Sequence, residues 1–184
     1  MSALRQNLLD GRAIALAGGV PEAVALALAG LGARVEAVPL NEGLGEDEER
    51  VGEWARARTP FDAVVYDARD AFGDGGEEAL TRALELAWLA VREVATGALI
   101  PAADGTGKVL LVGPAPDAGP FAEAARAALE NLARTLSIEW ARYGVTAAMI
   151  APGAATTEDQ LAELVCFLVS EAGGYVSGCR LELG

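Results

Sequence analysis

Acid and base chemistry near neutral pH is most often carried by histidine, and this chain of 184 residues has none. A Ser-His-Asp triad, a His-paired cysteine and a His-ligated zinc site therefore cannot be assembled from its own side chains. What remains is sparse: a single lysine, Lys108, three tyrosines at 66, 143 and 175, and two cysteines, Cys166 and Cys179. The cysteines form neither a CxxC pair nor a larger framework, and read as reduced, buried, small apolar residues. Three groups near one another in sequence, Tyr66, Asp67 and Asp70, are the candidates for proton transfer. Gly18-Gly19 after an apolar run and the Pro152-Gly153 turn are the places where backbone could approach a ligand closely.

The balance of 14 basic against 27 acidic side chains, a net charge of −13, argues against binding nucleic acid or an anionic membrane surface. Both need a concentrated basic patch, and the basic residues here are scattered. A hydrophobic fraction of 52% is ample for a core. The amino-terminal MSALRQNLLDGR has no apolar leader core, and no apolar stretch reaches the ~18 residues of a membrane span. One compact cytoplasmic domain over residues 1–184 is expected.

The elements that must position these groups alternate. Apolar runs at Ala13 to Ala17, Arg34 to Pro39, Asp62 to Tyr66, Lys108 to Val112, Thr146 to Ile150 and Cys179 to Leu183 predict strands. Between them, Pro21 to Leu31, Glu46 to Ala57, Glu77 to Ala95, Phe121 to Tyr143 and Glu158 to Ser170 predict helices. This βα alternation predicts a doubly wound, Rossmann-like parallel sheet of about six strands with helices on both faces, a three-layer α/β sandwich. Pro21 suits a first helical turn, Gly144 a residue just past a helix end, and Thr157 an N-cap before Glu158. Ligands in open α/β sheets sit beyond the carboxyl ends of the strands. The turn-rich loops Ala71 to Gly76 and Gly113 to Pro120, with Gly18-Gly19 and Pro152-Gly153, are expected to line any pocket.

The run AARAALENLARTLSIEWARYGVTAAMIAPG, followed by ELVCFLVSEAGGYVSGCRLELG, resembles the short-chain dehydrogenase/reductase family. In that family a long Ala-rich helix ending near Glu-Trp leads into a strand closed by Pro-Gly. A later helix ending in Phe-Leu-x-Ser leads through Tyr-x-x-Gly to the last strand. The resemblance is specific over residues 124–184 and extends more weakly over the rest. It implies NAD(P)-dependent hydride transfer between an alcohol and a carbonyl, run by Ser, Tyr, Lys and Asn. The Tyr is the acid/base, the Lys lowers its pKa and holds the nicotinamide ribose, the Ser polarises the carbonyl and the Asn orders a water.

None of the four is found. Tyr66, Tyr143 and Tyr175 are followed four residues on by Asp70, Ala147 and Cys179, so there is no Tyr-x-x-x-Lys. Against the family pattern Ala122 stands at the tyrosine, Arg126 at the lysine, Pro114 within a residue or so of the serine, and Ala87 at the asparagine. Arg126 keeps a positive charge; Ala122 and Ala87 cannot exchange a proton, and Pro114 has no hydroxyl.

The family's Thr-Gly-x-x-x-Gly-x-Gly, which lets backbone amides approach a pyrophosphate, is matched by Ala17-Gly18-Gly19-Val20-Pro21-Glu22 ahead of a shortened helix. Pro21 removes an amide and Glu22 adds negative charge. Pro39-Leu40-Asn41 stands where a charged residue would choose between the two nicotinamide cofactors. Tyr66-Asp67-Ala68-Arg69 replaces Asn-Asn-Ala-Gly, with Asp67 and Arg69 expected as a solvated loop pair. Pro152-Gly153 with Thr157 is the one cofactor-contacting element retained, leaving Gly18, Gly19, Asp67, Pro152, Gly153 and Thr157 as a vestigial site. No cofactor is expected in this chain, and no metal. Residues 154–157 run almost directly into the next helix, where family members insert a substrate lobe.

Relatives assemble through the two long helices, here 77–95 and 121–143, and through the last helix and strand, here 158–183. In the helix from Phe121, Ala124, Ala125, Ala128, Leu129, Leu132, Leu136 and Trp140 spread over more than one stripe, as a helix with a partner would; packing of both stripes within the chain is the alternative. With Trp88 and Trp140 as candidate anchors, the leading expectation is a catalytically inactive subunit. It would join an active, NAD- or NADP-bearing relative in a heterodimer or heterotetramer, the complex being a 3-hydroxyacyl-CoA dehydrogenase or 3-oxoacyl reductase by family analogy. Two alternatives stay open: an active oxidoreductase with an atypical nucleotide site using Asp67, Asp70 or Tyr66, and a homomeric binding or regulatory protein.

Overall fold

In a computed structural model of the chain, residues 4–40, 44–73, 75–102 and 106–184 are described; Asn41 and position 74 of the 71–76 loop lie outside them. Six parallel strands, β1 (Ala13–Gly18), β2 (Arg34–Ala37), β3 (Ala63–Asp67), β4 (Lys108–Val112), β5 (Thr146–Pro152) and β6 (Cys179–Leu183), form one sheet in the order β2-β1-β3-β4-β5-β6. β3 and β4 are buried along their whole length. That is why they read as unbroken Val and Leu runs rather than as alternating patterns.

The helices are α1 (Glu22–Gly30), α2 (Leu44–Arg58), α3 (Arg69–Phe72), α4 (Glu77–Val94), α5 (Ala122–Glu139) and α6 (Glu158–Val169). One face of the sheet packs Val64, Val109 and Met149 against Val51 of α2, Ala83 and Leu86 of α4, and Leu129 of α5. The other packs Ile14, Val65, Leu110 and Ile150 against Val24 and Leu28 of α1 and Leu161 and Val165 of α6. The doubly wound α/β sandwich expected from the alternation is the fold observed.

The punctuation is legible. Thr157 Oγ1 accepts the Gln160 N–H while Gln160 Oε1 accepts the Thr157 N–H, a reciprocal capping box worth about 1 kcal/mol. Gly144 takes the left-handed conformation, φ 71°, that lets the chain leave the helical turn Ala141–Tyr143 for β5.

Four details depart from the sequence reading. β2 ends at Ala37: Val38 still donates to Leu16 O, but the Leu40 N–H, the next on that side of the strand, turns back to Val38 O instead of reaching β1. Pro21 caps α1 from outside instead of occupying its first turn. The four-residue α3 and a single π-helical turn, Ala95–Leu99, that prolongs α4 are both unexpected. Dinucleotide-binding sheets ordered 3-2-1-4-5-6 carry two strands outside the first, whereas here β2 alone lies there. From Pro152 the chain reaches α6 through residues 153–157 only.

Candidate functional site

The strand order reverses between β1 and β3, and the crevice above their carboxyl ends is an open cleft of about 790 Å³. It is lined by Gly18 and Gly19 after β1, Val38 and Leu40 after β2, Asp70 and Ala71 of α3, and Arg82 and Leu86 of α4. Gly18 and Gly19 thus lie where expected. Pro152-Gly153 and the 113–120 loop do not line this cleft, contrary to expectation, because they end strands on the far side of β3.

Gly18 has φ +75°, and a Cβ there would sit 2.2 Å from Asp67 O, so no other residue fits. The Gly19 N–H donates to Asp67 O at 3.2 Å, and the Asp70 carboxylate packs against the Gly19 Cα, occupying the space a side chain would need. A phosphate arriving here would find that amide already used, Pro21 without one, and the carboxylates of Asp70 and Glu22 at the helix start. The residues present do not fit a dinucleotide pyrophosphate.

Next to the cleft stands the Asp67 to Arg69 pair. The Arg69 Nη2 donates to Asp67 Oδ2 at 2.7 Å, and Nε to Oδ1 at 3.0 Å, while the Arg69 backbone N–H also donates to Oδ1. The expected solvated pair is corrected: Asp67 is only 1% exposed. Burial pushes its carboxyl above the ordinary range, against the opposing pull of Arg69. Register explains this, since Asp67 is the last residue of the central strand, between Gly18 and Val112.

Tyr66 is removed from acid/base service. Its ring lies in the core beneath α4, its hydroxyl donates to Ala83 O at 3.0 Å, and burial followed by the nearby Asp67 charge pushes it well above the usual tyrosine range. Of Tyr66, Asp67 and Asp70, only Asp70 is exposed and lines the cleft.

The positions matched to the family's catalytic residues are all buried: Ala87 and Ala122 within one apolar cluster, and Pro114 and Arg126 beside it. Arg126, 2% exposed, sends Nη1 to both Pro114 O and Pro152 O at 2.7 Å and Nη2 to Glu182 at 3.0 Å. Its Nε lies 3.1 Å from the Glu123 carboxylate. One guanidinium therefore ties the ends of β4 and β5 to β6. No local pattern announces this; the only signal is an arginine on the buried face of an Ala-rich helix, four residues after Ala122.

The Pro152-Gly153 turn is also occupied internally. Gly153 N–H donates to Leu183 O at 2.6 Å and lies 2.8 Å from Thr156 Oγ1, which itself donates to Leu183 O. The Thr157 hydroxyl is engaged by its capping box. Cys166 is buried with its thiol pushed up to about 11 by burial; Cys179, expected to be buried, is half-exposed on edge strand β6. Both are free. Among the described residues no cluster of three metal-ligating side chains occurs.

No family model and no curated protein matches the sequence. Solved structures do. A citronellol catabolism dehydrogenase of Pseudomonas aeruginosa is 23% identical, with a TM-score of 0.76 over 99% of this chain and 97% of that one. A hydroxysteroid dehydrogenase from Escherichia coli is 18% identical, with a TM-score of 0.77 over 97% and 98%. This chain has the fold of these dehydrogenases. A third, from Beutenbergia cavernae, is described as an NAD(P)-dependent gluconate 5-dehydrogenase with NADP bound at low occupancy; it is 21% identical, TM-score 0.74, over 97% of both chains. Among the described residues no helix is long and apolar enough to cross a membrane.

Proposed function

We propose that the chain is a catalytically silent member of the short-chain dehydrogenase/reductase family and works as the non-catalytic subunit of an active, NAD- or NADP-dependent relative. The observation that carries this reading is Arg126. At the position matched to the catalytic lysine it is buried and spends its donors on Pro114 O, Pro152 O and Glu182. A residue locked into three structural contacts cannot also hold a ribose and tune a tyrosine, and the tyrosine itself is replaced by buried Ala122.

The assembly half of the proposal rests on what the surface leaves uncovered. On α5, Ala125, Leu129 and Leu136 are buried, and the second stripe, Leu132 and Trp140, is half-covered within the chain. Internal packing thus accounts for more of the apolar residues than the sequence implies. Yet Ile138 of α5 is 75% exposed, with Trp88 of α4, Phe121 just before α5 and Tyr143 of the turn after it also exposed. Phe167 and Tyr175 are exposed at the carboxyl-terminal segment. These residues fall in the segments 77–95, 121–143 and 158–183, the counterparts of those through which family relatives pair.

The complex is cytoplasmic, and by analogy alone its reaction is that of a 3-hydroxyacyl-CoA dehydrogenase or 3-oxoacyl reductase. Native mass spectrometry of the chain made alone and together with a candidate catalytically competent short-chain dehydrogenase/reductase from the same genome tests the assembly. A mixed oligomer supports the proposal, whereas a stable homotetramer indifferent to that partner refutes it.

A further inference from the structure

At the opposite, amino-terminal edge of the sheet lies a second cavity of about 310 Å³, near the lower end of the ~300–1,000 Å³ range of small-ligand pockets. Its wall includes the chain's only lysine, Lys108, at the start of β4, with Thr146 at the start of β5 and Gly174 from the turn after α6. Lys108 is 8% exposed, and among the described residues its ammonium makes no hydrogen bond and no ion pair. The two carboxylates that line the same cavity, Asp62 and Glu171, both pair with Arg12, at 2.7 and 2.9 Å, and Asp62 also accepts the Ala13 N–H.

A buried ammonium without a counterion is costly, and the amine sheds its proton more readily as a result. Burial comes first in lowering the Lys108 pKa, the positive charge of Arg12 second, and Glu171 opposes both. Desolvation beside another cation is the arrangement that makes a lysine nucleophilic toward carbonyls.

We propose that Lys108 is a carbonyl-capturing amine and that this cavity takes a small aldehyde or ketone. The neutral Nζ attacks the carbonyl carbon and a C–N bond forms as the carbonyl oxygen takes up a proton. Loss of that oxygen as water leaves a C=N bond, without any change of oxidation state, and hydrolysis reverses the step. The site lies at the far end of the strands from the cleft of Gly18 and Asp70 and does not depend on how that cleft is read.

The test incubates the folded and the urea-unfolded chain with propanal and cyanoborohydride between pH 6 and 11, with intact mass and peptide mapping as the readout. Besides the amino terminus, which serves as an internal reference near pKa ~8, Lys108 is the sole amine. At pH 7 the folded chain should be alkylated at Lys108 severalfold faster than the urea-unfolded chain, because a lowered pKa raises the neutral fraction of the amine. The midpoint of its pH profile should lie below that of the unfolded chain. Arg12→Gln should move the midpoint upward, since it removes a cation and frees two carboxylates. If that variant does not fold, the folded-to-unfolded comparison decides alone. Equal or slower labelling in the folded chain, or an unmoved midpoint, overturns the proposal.

Discussion

Arg126 Nη1 donates to the carbonyl of Pro114 at 2.7 Å, joining the residue matched to the family's lysine to the one matched to its serine. The same nitrogen reaches Pro152 O, so the cation bridges two strand ends that a reaction centre would keep open.

Replacing Arg126 should therefore unsettle the fold. Arg126→Met leaves two buried carbonyls without donors and should cost about 3 kcal/mol. For a chain of this length that lowers Tm by roughly 6–12 °C in a calorimetric scan. Arg126→Lys keeps the charge but has a single nitrogen for contacts that diverge, and should recover only part of the loss. An unchanged Tm in Arg126→Met would mean that the contacts contribute nothing.

Restoring the family pair should not restore chemistry. Ala122 is 1% exposed, so the double variant Ala122→Tyr with Arg126→Lys must push a phenol into filled space, at a cost of about 1–3 kcal/mol. With Asp70 against Gly19 and the Gly19 amide engaged, reduction or oxidation of nicotinamide cofactor, followed by absorbance at 340 nm (NAD(P)H formation or loss), should stay at background. Turnover by this variant would show that the nucleotide cleft is functional.

Gly18 makes a sharper stability probe than any cofactor contact. Gly18→Ala places a methyl 2.2 Å from Asp67 O at φ +75°, and should destabilise by about 2–3 kcal/mol in urea titrations. Gly30→Ala, where a Cβ meets nothing within 4 Å, should be neutral or stabilising.

Stability should fall on the alkaline side. Tyr66 and Cys166 both have folded pKa values raised above the unfolded ones, so the native state holds its protons longer. Their contribution is complete below the unfolded values and is lost as pH rises, from about 9 toward 11 for Cys166 and above 10 for Tyr66. Urea midpoints measured from pH 7 to 11 should decline beyond pH 9, and less steeply in Cys166→Ala.

The sheet and its helices were readable because the signals were local. Val64-Val65 and Val109 to Val112 are unbroken apolar runs, and Thr157 with Gln160 is a three-residue cap. What escaped depends on register and distance. Nothing near Asp67 in sequence shows that it ends the central strand and is buried, or that Tyr66 points under α4. Arg126 reaches Glu182 across 56 residues. The π turn at Ala95–Leu99 carries α4 past Gly97, which reads locally as a helix-weakening residue, toward Pro101.

Surface substitutions should separate assembly from folding. Ile138→Asp, at a residue 75% exposed, should shift monomer stability by no more than about 0.5 kcal/mol. The same change should reduce co-purification with any dehydrogenase partner that binds the unaltered chain at least tenfold. Unaltered co-purification would place the interface elsewhere.

The most direct measurement is calorimetric titration of the purified chain alone with NAD⁺, NADH, NADP⁺ and NADPH. A silent cleft, with Asp70 over Gly19 and the Gly19 amide committed to Asp67, predicts no saturable heat at millimolar cofactor. A saturable isotherm in the micromolar range for any of the four would contradict it.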